Sequence, residues 1–183
     1  MKPTCEIKIA VSGHRQLTNL PSLENSVLAA ADQIHTAFPG KTYHIWSCLA
    51  EGADRILSRI LVKSLGAKLT VVLPLPEQEY IKDFKTTESI QEYKQLKQIA
   101  EKVVASDQVL ARPLAYQAAN HTLMQGCDLL VTIWDGLPAR GPGGTSEVVE
   151  SIRQGGKPLL WIHTNKEKND DMLTKERFPN RNE

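Results

Sequence analysis

The chain has 183 residues, 41% hydrophobic and 23% charged, which fits one soluble domain and neither a disordered segment nor a disulfide-stapled miniprotein. Its 22 Lys and Arg against 21 Asp and Glu leave a formal charge of +1, which excludes a surface given over as a whole to nucleic acid or membrane but leaves room for a local anion site. No apolar run approaches the roughly 18 residues of a membrane helix.

The elements alternate along the chain. Ile7–Val11 is a β-branched run that stops at Ser12-Gly13 and reads as a buried parallel strand. It is also too short for a signal peptide, so a cytoplasmic protein is expected. Pro21-Ser22 opens a helix from Leu23 to Phe38, which Pro39-Gly40 stops. Tyr43–Cys48 reads as a strand, Leu49 to Leu65 as a helix ended by Gly66, and Leu69–Leu73 as a strand cut off by Pro74 and Pro76. The polar stretch from Glu77 to about Val104 reads as one or two exposed helices, and Val109–Ala111 as a weak fourth strand. A helix over Leu114–Gln125, a strong strand over Leu129–Trp134, a helix over Glu147–Gln154 and a strand over Leu159–His163 follow. The polar residues from Asn165 onward read as a tail, 165–183, that frays or packs on a partner, after one domain over 1–164. Six strands alternating with helices predict a three-layer α/β fold with a mostly parallel sheet.

In such a sheet, ligands bind beyond the carboxyl ends of the strands, where strand order reverses. The turns after the strands therefore carry the candidates. After the first strand, Gly13 permits close backbone approach, Arg15 offers a fork for phosphate or carboxylate, and His14 can donate to the same anion; a plain turn with a surface charge is the competing reading. After the second, Glu51 and Asp54 either stabilise a helix N-terminus or hold ribose hydroxyls. Pro74-Leu75-Pro76 shapes the chain. Tyr116 and Asn120 are four apart, share a helix face and are candidates for stacking on or bonding to a base.

The most informative stretch is Trp134-Asp135-Gly136 followed by Gly141-Pro142-Gly143-Gly144-Thr145-Ser146-Glu147. A hydrophobic strand runs into an acid, and a glycine-rich loop then delivers a helix N-terminus, whose amides and dipole favour an anion. Gly143 and Gly144 allow approach to a phosphate, Thr145 is an N-cap or a phosphate contact, and Arg140 adds positive charge. Glu147 is either a ligand-working group or a helix stabiliser. The loop is not the GxGxxG or the GxxxxGK[ST] phosphate motif, and no GxSxG elbow is present. Cys5, Cys48 and Cys127 form no CxxC and no zinc spacing, so they read as free thiols, and no metal or cofactor is expected.

Gly13-His14-Arg15, Leu49 to Arg55 (LAEGADR), Leu73 to Pro76, Asp128-Leu129-Leu130, Trp134-Asp135-Gly136 and Gly143 to Glu147 resemble, in order, the SLOG superfamily. This group includes the lonely-guy phosphoribohydrolases and the Smf/DprA DNA-processing proteins. The resemblance covers about Lys8 to His163 and is nearest to the bacterial SLOG-domain branch. It implies a Rossmann-like fold, a nucleotide-derived ligand, phosphate contacts from Gly143, Gly144 and Thr145, and a crevice lined by Gly13 and Arg15. The lonely-guy signature PGGxGTxxE is altered here: Pro142-Gly143-Gly144 runs straight into Thr145, and Val148, not an acid, stands three residues after the threonine.

Three readings follow. A binding module would hold a nucleotide or nucleotide-sugar signal as a sensor. A nucleotide N-glycoside hydrolase would use Glu147 and Asp135, with Glu51 as a further acid, at an oxocarbenium-like centre. An assembly protein would use the polar helices and the tail. The expected partner is a nucleotide-derived small molecule, not a nucleic acid or a membrane; a homo-oligomer is compatible with all three readings.

Overall fold

In the computed structural model, residues 6–105, 110–138, 141, 143–164 and 173–179 are described. The first strand, β1 (Glu6–Gly13), pairs in parallel with β2 (Thr42–Ser47) on one side and with β5 (Leu129–Trp134) on the other. Strands β3 (Lys68–Leu73) and β4 (Lys102–Ala105) continue outward from β2, and β6 (Leu159–His163) continues from β5. The last strand, β7 (Leu173–Glu176), closes the far edge antiparallel to β6, giving the order β4-β3-β2-β1-β5-β6-β7.

The strands are apolar on both sides because helices cover both faces of the sheet. Ile9, Val11, Leu129, Val131 and Ile133 enter one core, while Ala10, Leu130 and Trp134 enter the other. All six residues of β5 are buried, as a central parallel strand requires. The chain moves outward from β1 to β4 and then returns to β5. Right-handed crossovers place the outward helices on one face and the returning helices on the other. Thus α1 (Leu20–Ala37) and α2 (Ala53–Leu65) bury Leu23, Val27, Ile34, Leu57 and Leu61 in the first core. Helices α5 (Arg112–Met124) and α6 (Thr145–Gln154) bury Ala119, Leu123, Val148, Val149 and Ile152 in the second.

Three elements differ from the sequence reading. The fourth strand is Lys102–Ala105, inside the stretch read as helical; Leu110 and Ala111 carry no strand, and Val109 lies outside the described residues. As an edge strand with one neighbour, β4 needs no continuous apolar run, and its four residues are exposed or half-buried.

The polar stretch before it does form helices: α3 (Glu77–Tyr80), a 3-10 turn (Ile81–Asp83) and α4 (Thr87–Gln98). They are not merely exposed, because Tyr80, Phe84, Tyr93 and Leu96 are buried. The Phe84 ring lies 5.1 Å from both Tyr80 and Tyr93, giving a compact aromatic cluster beside α2.

Within the tail, residues 173–179 are described, and they pack on the domain. Leu173–Glu176 joins the sheet, Arg153 Nε and Nη2 donate to Glu176 at 2.9 and 2.7 Å, and Phe178 packs edge-on against Phe38 at 5.9 Å. A four-residue strand rich in Thr, Lys and Glu has no apolar alternation that could announce it.

Candidate functional site

The strand order reverses between β1 and β5, so the loops leaving their carboxyl ends diverge and open a crevice. The turn after β1 is fixed on two sides. The His14 amide donates to the Ile133 carbonyl at 3.0 Å, and the Ala53 amide donates to the His14 carbonyl at 3.0 Å. A Cβ on Gly13 would stand 2.4 Å from the Ile133 oxygen and 2.5 Å from Ala53 Cβ. A Cβ on Gly52, at φ +82°, would stand 2.4 Å from the Arg15 carbonyl oxygen. The two glycines therefore let the start of α2 seat directly beneath the Gly13-His14-Arg15 turn.

The segment between β2 and α2 is held in an uncommon shape. Leu49 is fully buried at φ +55°, a conformation costly for a branched side chain. The Leu49 amide donates to Ser47 Oγ at 3.0 Å, and Arg55 Nε donates to the Leu49 carbonyl at 3.0 Å. Tyr80 OH donates to the Cys48 carbonyl at 3.1 Å. Arg55 Nη1 reaches onward to the Ser89 carbonyl and hydroxyl, both at 2.8 Å, and to Glu92 at 3.1 Å. Glu51 accepts from the Lys85 amide at 2.9 Å and from the Ser89 hydroxyl. Burial opposes its ionisation, but those two donors hold the Glu51 carboxyl below its usual range. Glu51 and Arg55 thus tie the loop to α4, and neither lines the crevice. Asp54, in the first turn of α2, does line it.

The crevice encloses about 720 Å³, within the range of small-molecule sites. It brings together Gly13, His14, Arg15, Asp54, Tyr116, Asn120, Asp135, Gly143, Gly144 and Thr145 of the sequence candidates. Glu51 and Glu147 lie outside the lining, and Arg140 falls outside the described residues. The lining also includes Ser12, Gln16, Thr18, Cys48, Tyr80 and Thr164, which sequence reasoning did not single out as site residues. Cys48 was legible only as a small buried hydrophobe. Tyr80 reaches the crevice from a helix read as exposed.

Around the mouth, charges are arranged in pairs. His14 Nε2 lies 2.9 Å from Asp135 Oδ1, and the Asp135 amide donates to the same nitrogen at 3.2 Å. A neutral ring protonated on Nδ1 takes the amide; a charged ring donates to the carboxylate. Burial pushes the Asp135 acid up, but the Leu137 amide at 2.9 Å and His14 outweigh it and hold the carboxyl below its usual range. Tyr116 OH donates to Asp83, and the Arg15 guanidinium lies 5.3 Å from the Tyr116 ring centroid. No described carboxylate lies within ion-pair distance of Arg15.

The glycine loop closes the other wall. Asn120 Nδ2 donates to the Gly143 carbonyl at 2.8 Å, which binds the loop to α5. The Gly143 amide donates to Glu147 Oε2 at 3.0 Å, so the Glu147 side chain folds back as a brace on the loop. Gly144, not Thr145, occupies the N-cap position, and no side chain caps α6. Thr145 is the first residue of the helix and faces the crevice. The Glu147 amide already donates to the Gly144 carbonyl at 3.1 Å; the Thr145 and Ser146 amides ahead of it and the helix dipole give this end a positive potential. Among the described residues, no group of three His, Cys, Asp or Glu side chains is placed to hold a metal ion. No described helix is long and apolar enough to cross a membrane.

The fold and the crevice define an α/β protein of Rossmann-like architecture with an open site at the topological switch point. No family model matches the chain, and no curated protein matches it in sequence. Among solved structures it is similar to DNA processing protein A (DprA) from Streptococcus pneumoniae, with a TM-score of 0.57 and 17% identity over 91% of this chain and 53% of that one. The chain therefore spans about half the length of that protein. Two structures of the molybdenum cofactor carrier protein from Chlamydomonas reinhardtii match with a TM-score of 0.43, at 14% and 15% identity, over 85% of this chain and 76% and 75% of theirs. At 17% identity the likeness to DprA is one of fold.

Proposed function

We propose that this chain is a binding module for a phosphate-bearing, nucleotide-derived small molecule, acting as a sensor of that ligand. One observation carries the reading. The uncapped N-terminus of α6, at Gly144 and Thr145, opens into the same 720 Å³ crevice as the Arg15 guanidinium, which no described carboxylate pairs. Backbone amides, a helix dipole and a planar cation converge on one space, which suits a phosphate. Tyr116 and Asn120 add a ring and a polar edge beside it.

Binding without turnover is favoured over N-glycoside hydrolysis. Glu147 spends its carboxylate on the Gly143 amide, and Asp135 is held in the ionised form by Leu137 and His14. Glu147 also lies outside the crevice lining, so the two acids do not face one reacting centre. The resemblance to SLOG domains supports a nucleotide-type ligand, and a net charge of +1 supports a small molecule over DNA.

The test follows thermal stability and products together for NAD, ADP-ribose, AMP and cyclic nucleotides. A ligand at about 100 times its Kd stabilises the fold by about 2.7 kcal/mol. A melting shift without a new product is the expected result. Release of free base replaces the sensor with an N-glycosidase, and the absence of any shift across the panel overturns the reading.

A further inference from the structure

Two described carboxylates line the crevice, and their surroundings differ. Asp135 is served by the Leu137 amide and His14. Asp54 is 6% exposed, and the donors that meet it among the described residues are backbone amides, that of Ala50 at a long 3.3 Å and that of Cys48. An ionised carboxylate has about four lone-pair directions, so acceptor capacity is left over in a nearly buried group at the wall of a cavity.

The neighbouring side chains do not use it. Tyr80 spends its hydroxyl proton on the Cys48 carbonyl. Burial pushes the Cys48 thiol well up, so it stays a neutral, weak donor. Arg15 acts on Asp54 through space but makes no ion pair with it. As a result, burial raises the Asp54 acid to about 7 despite the two amides and the charges of Arg15 and Arg55.

We propose that Asp54 is the specificity-determining residue of the crevice, its carboxylate accepting a pair of O–H or N–H donors from the part of the ligand that lies beyond the phosphate. The inference rests on the phosphate reading above and fixes the ligand's polarity. The anionic end goes to the α6 N-terminus, since a phosphate at Asp54 would meet a like charge with little solvent to screen it. The donor end, a sugar diol or the N–H edge of a base, goes to Asp54. The ligand class is thus a sugar phosphate or nucleoside monophosphate.

A proton linkage follows. Donors favour the ionised carboxylate, so binding releases the proton that the buried acid carries. The groups facing Asp54 are Arg15 from the turn after β1, Cys48 from the end of β2, Arg55 from α2 and Tyr80 from α3. Burial pushes the Cys48 and Tyr80 acids well up, so Asp54 is the acid among them that titrates near neutrality.

The experiment is calorimetry with methyl phosphate, AMP and 2′,3′-dideoxy-AMP on the whole chain and on Asp54→Asn, with melting curves of both. All three compounds are phosphate monoesters, so the phosphate's own titration cancels in a ratio of their affinities. The expected AMP-to-methyl-phosphate ratio falls about tenfold or more in Asp54→Asn. In the wild type it falls about tenfold between about pH 8 and about pH 6. Loss of the advantage in dideoxy-AMP assigns the donors to the sugar diol; its retention assigns them to the base. An equal ratio in a well-folded Asp54→Asn overturns the proposal. If that variant does not fold, a pH-independent wild-type ratio overturns it. Failure of methyl phosphate and AMP alike to bind the wild type is a different result, and it removes the phosphate reading and this one together.

Discussion

The Leu49–Arg55 segment shapes one wall of the crevice, and its anchor is Arg55. The side chain is 1% exposed, crosses from α2 to α4 and stacks 4.4 Å from the Phe84 ring. Replacing Arg55 with Met keeps much of the stem volume and removes the fork. The Leu49 carbonyl, in a fully buried residue, then has no partner, which costs about 1–3 kcal/mol. The Ser89 carbonyl loses its partner too, but Ser89 is half-buried and water replaces part of that bond. Loss of the stacked guanidinium adds about 1 kcal/mol. Against this, removal of a desolvated charge whose Nη2 has no partner returns some free energy. The net expectation is a loss of about 2–4 kcal/mol, or roughly 4–16 °C in Tm at about 2–4 °C per kcal/mol for a domain of this size. Arg55→Lys is expected to lose nearly as much, because a single ammonium cannot span the Leu49 and Ser89 carbonyls. Glu92→Gln is expected to lose under about 1 kcal/mol, since that carboxylate is 47% exposed. Thermal unfolding by circular dichroism measures all three. An Arg55→Met variant melting within about 2 °C of wild type would refute the anchoring role.

Two further outcomes test the fold and the buried acid. Phe178→Ala is expected to cost about 3 kcal/mol, because the ring is 8% exposed and packs on Phe38; a urea midpoint equal to wild type would return the tail to the surface. Burial raises the Asp54 acid from 3.8 to about 7, so between those values the folded chain binds more protons than the unfolded one, and the stability contributed by the neutral acid is lost as pH rises through that window. Asp54→Asn should therefore gain stability relative to wild type between about pH 5 and about pH 8, and parallel urea-stability curves for the two proteins would contradict the raised acid.

The central fold was legible because buried parallel strands advertise themselves. Ile7–Val11, Leu69–Leu73 and Leu129–Trp134 are apolar on both faces, each is cut off by a turn residue, and amphipathic helices stand between them. The edges were not legible, for the same physical reason. A strand with one neighbour and one solvated flank, such as Lys102–Ala105 or Leu173–Glu176, needs no apolar pattern. The aromatic cluster of Tyr80, Phe84 and Tyr93 was hidden likewise, by the Lys and Glu residues on the other side of short helices.

The site was legible at the level of its turns and not of its side chains. Strand ends gave the location, because a reversal of strand order must open a crevice wherever it falls. What spacing cannot supply is direction. Asp54 and Arg55 are neighbours on α2, yet about 100° separates consecutive residues on a helix. Asp54 lines the crevice, and Arg55 reaches away to α4. Glu51, one turn of chain earlier, follows Arg55 and ties down Lys85 and Ser89. Glu147 joins the same class, since its carboxylate accepts from the loop's own Gly143 amide. A run of charged residues at a strand end thus splits into groups that hold the loop and groups that face the crevice. For the charged residues between β2 and α2, the difference lies in which second helix each side chain can reach. That helix is α4 for Glu51 and Arg55, and its position was set by a polar, weakly patterned stretch that sequence alone could not pack.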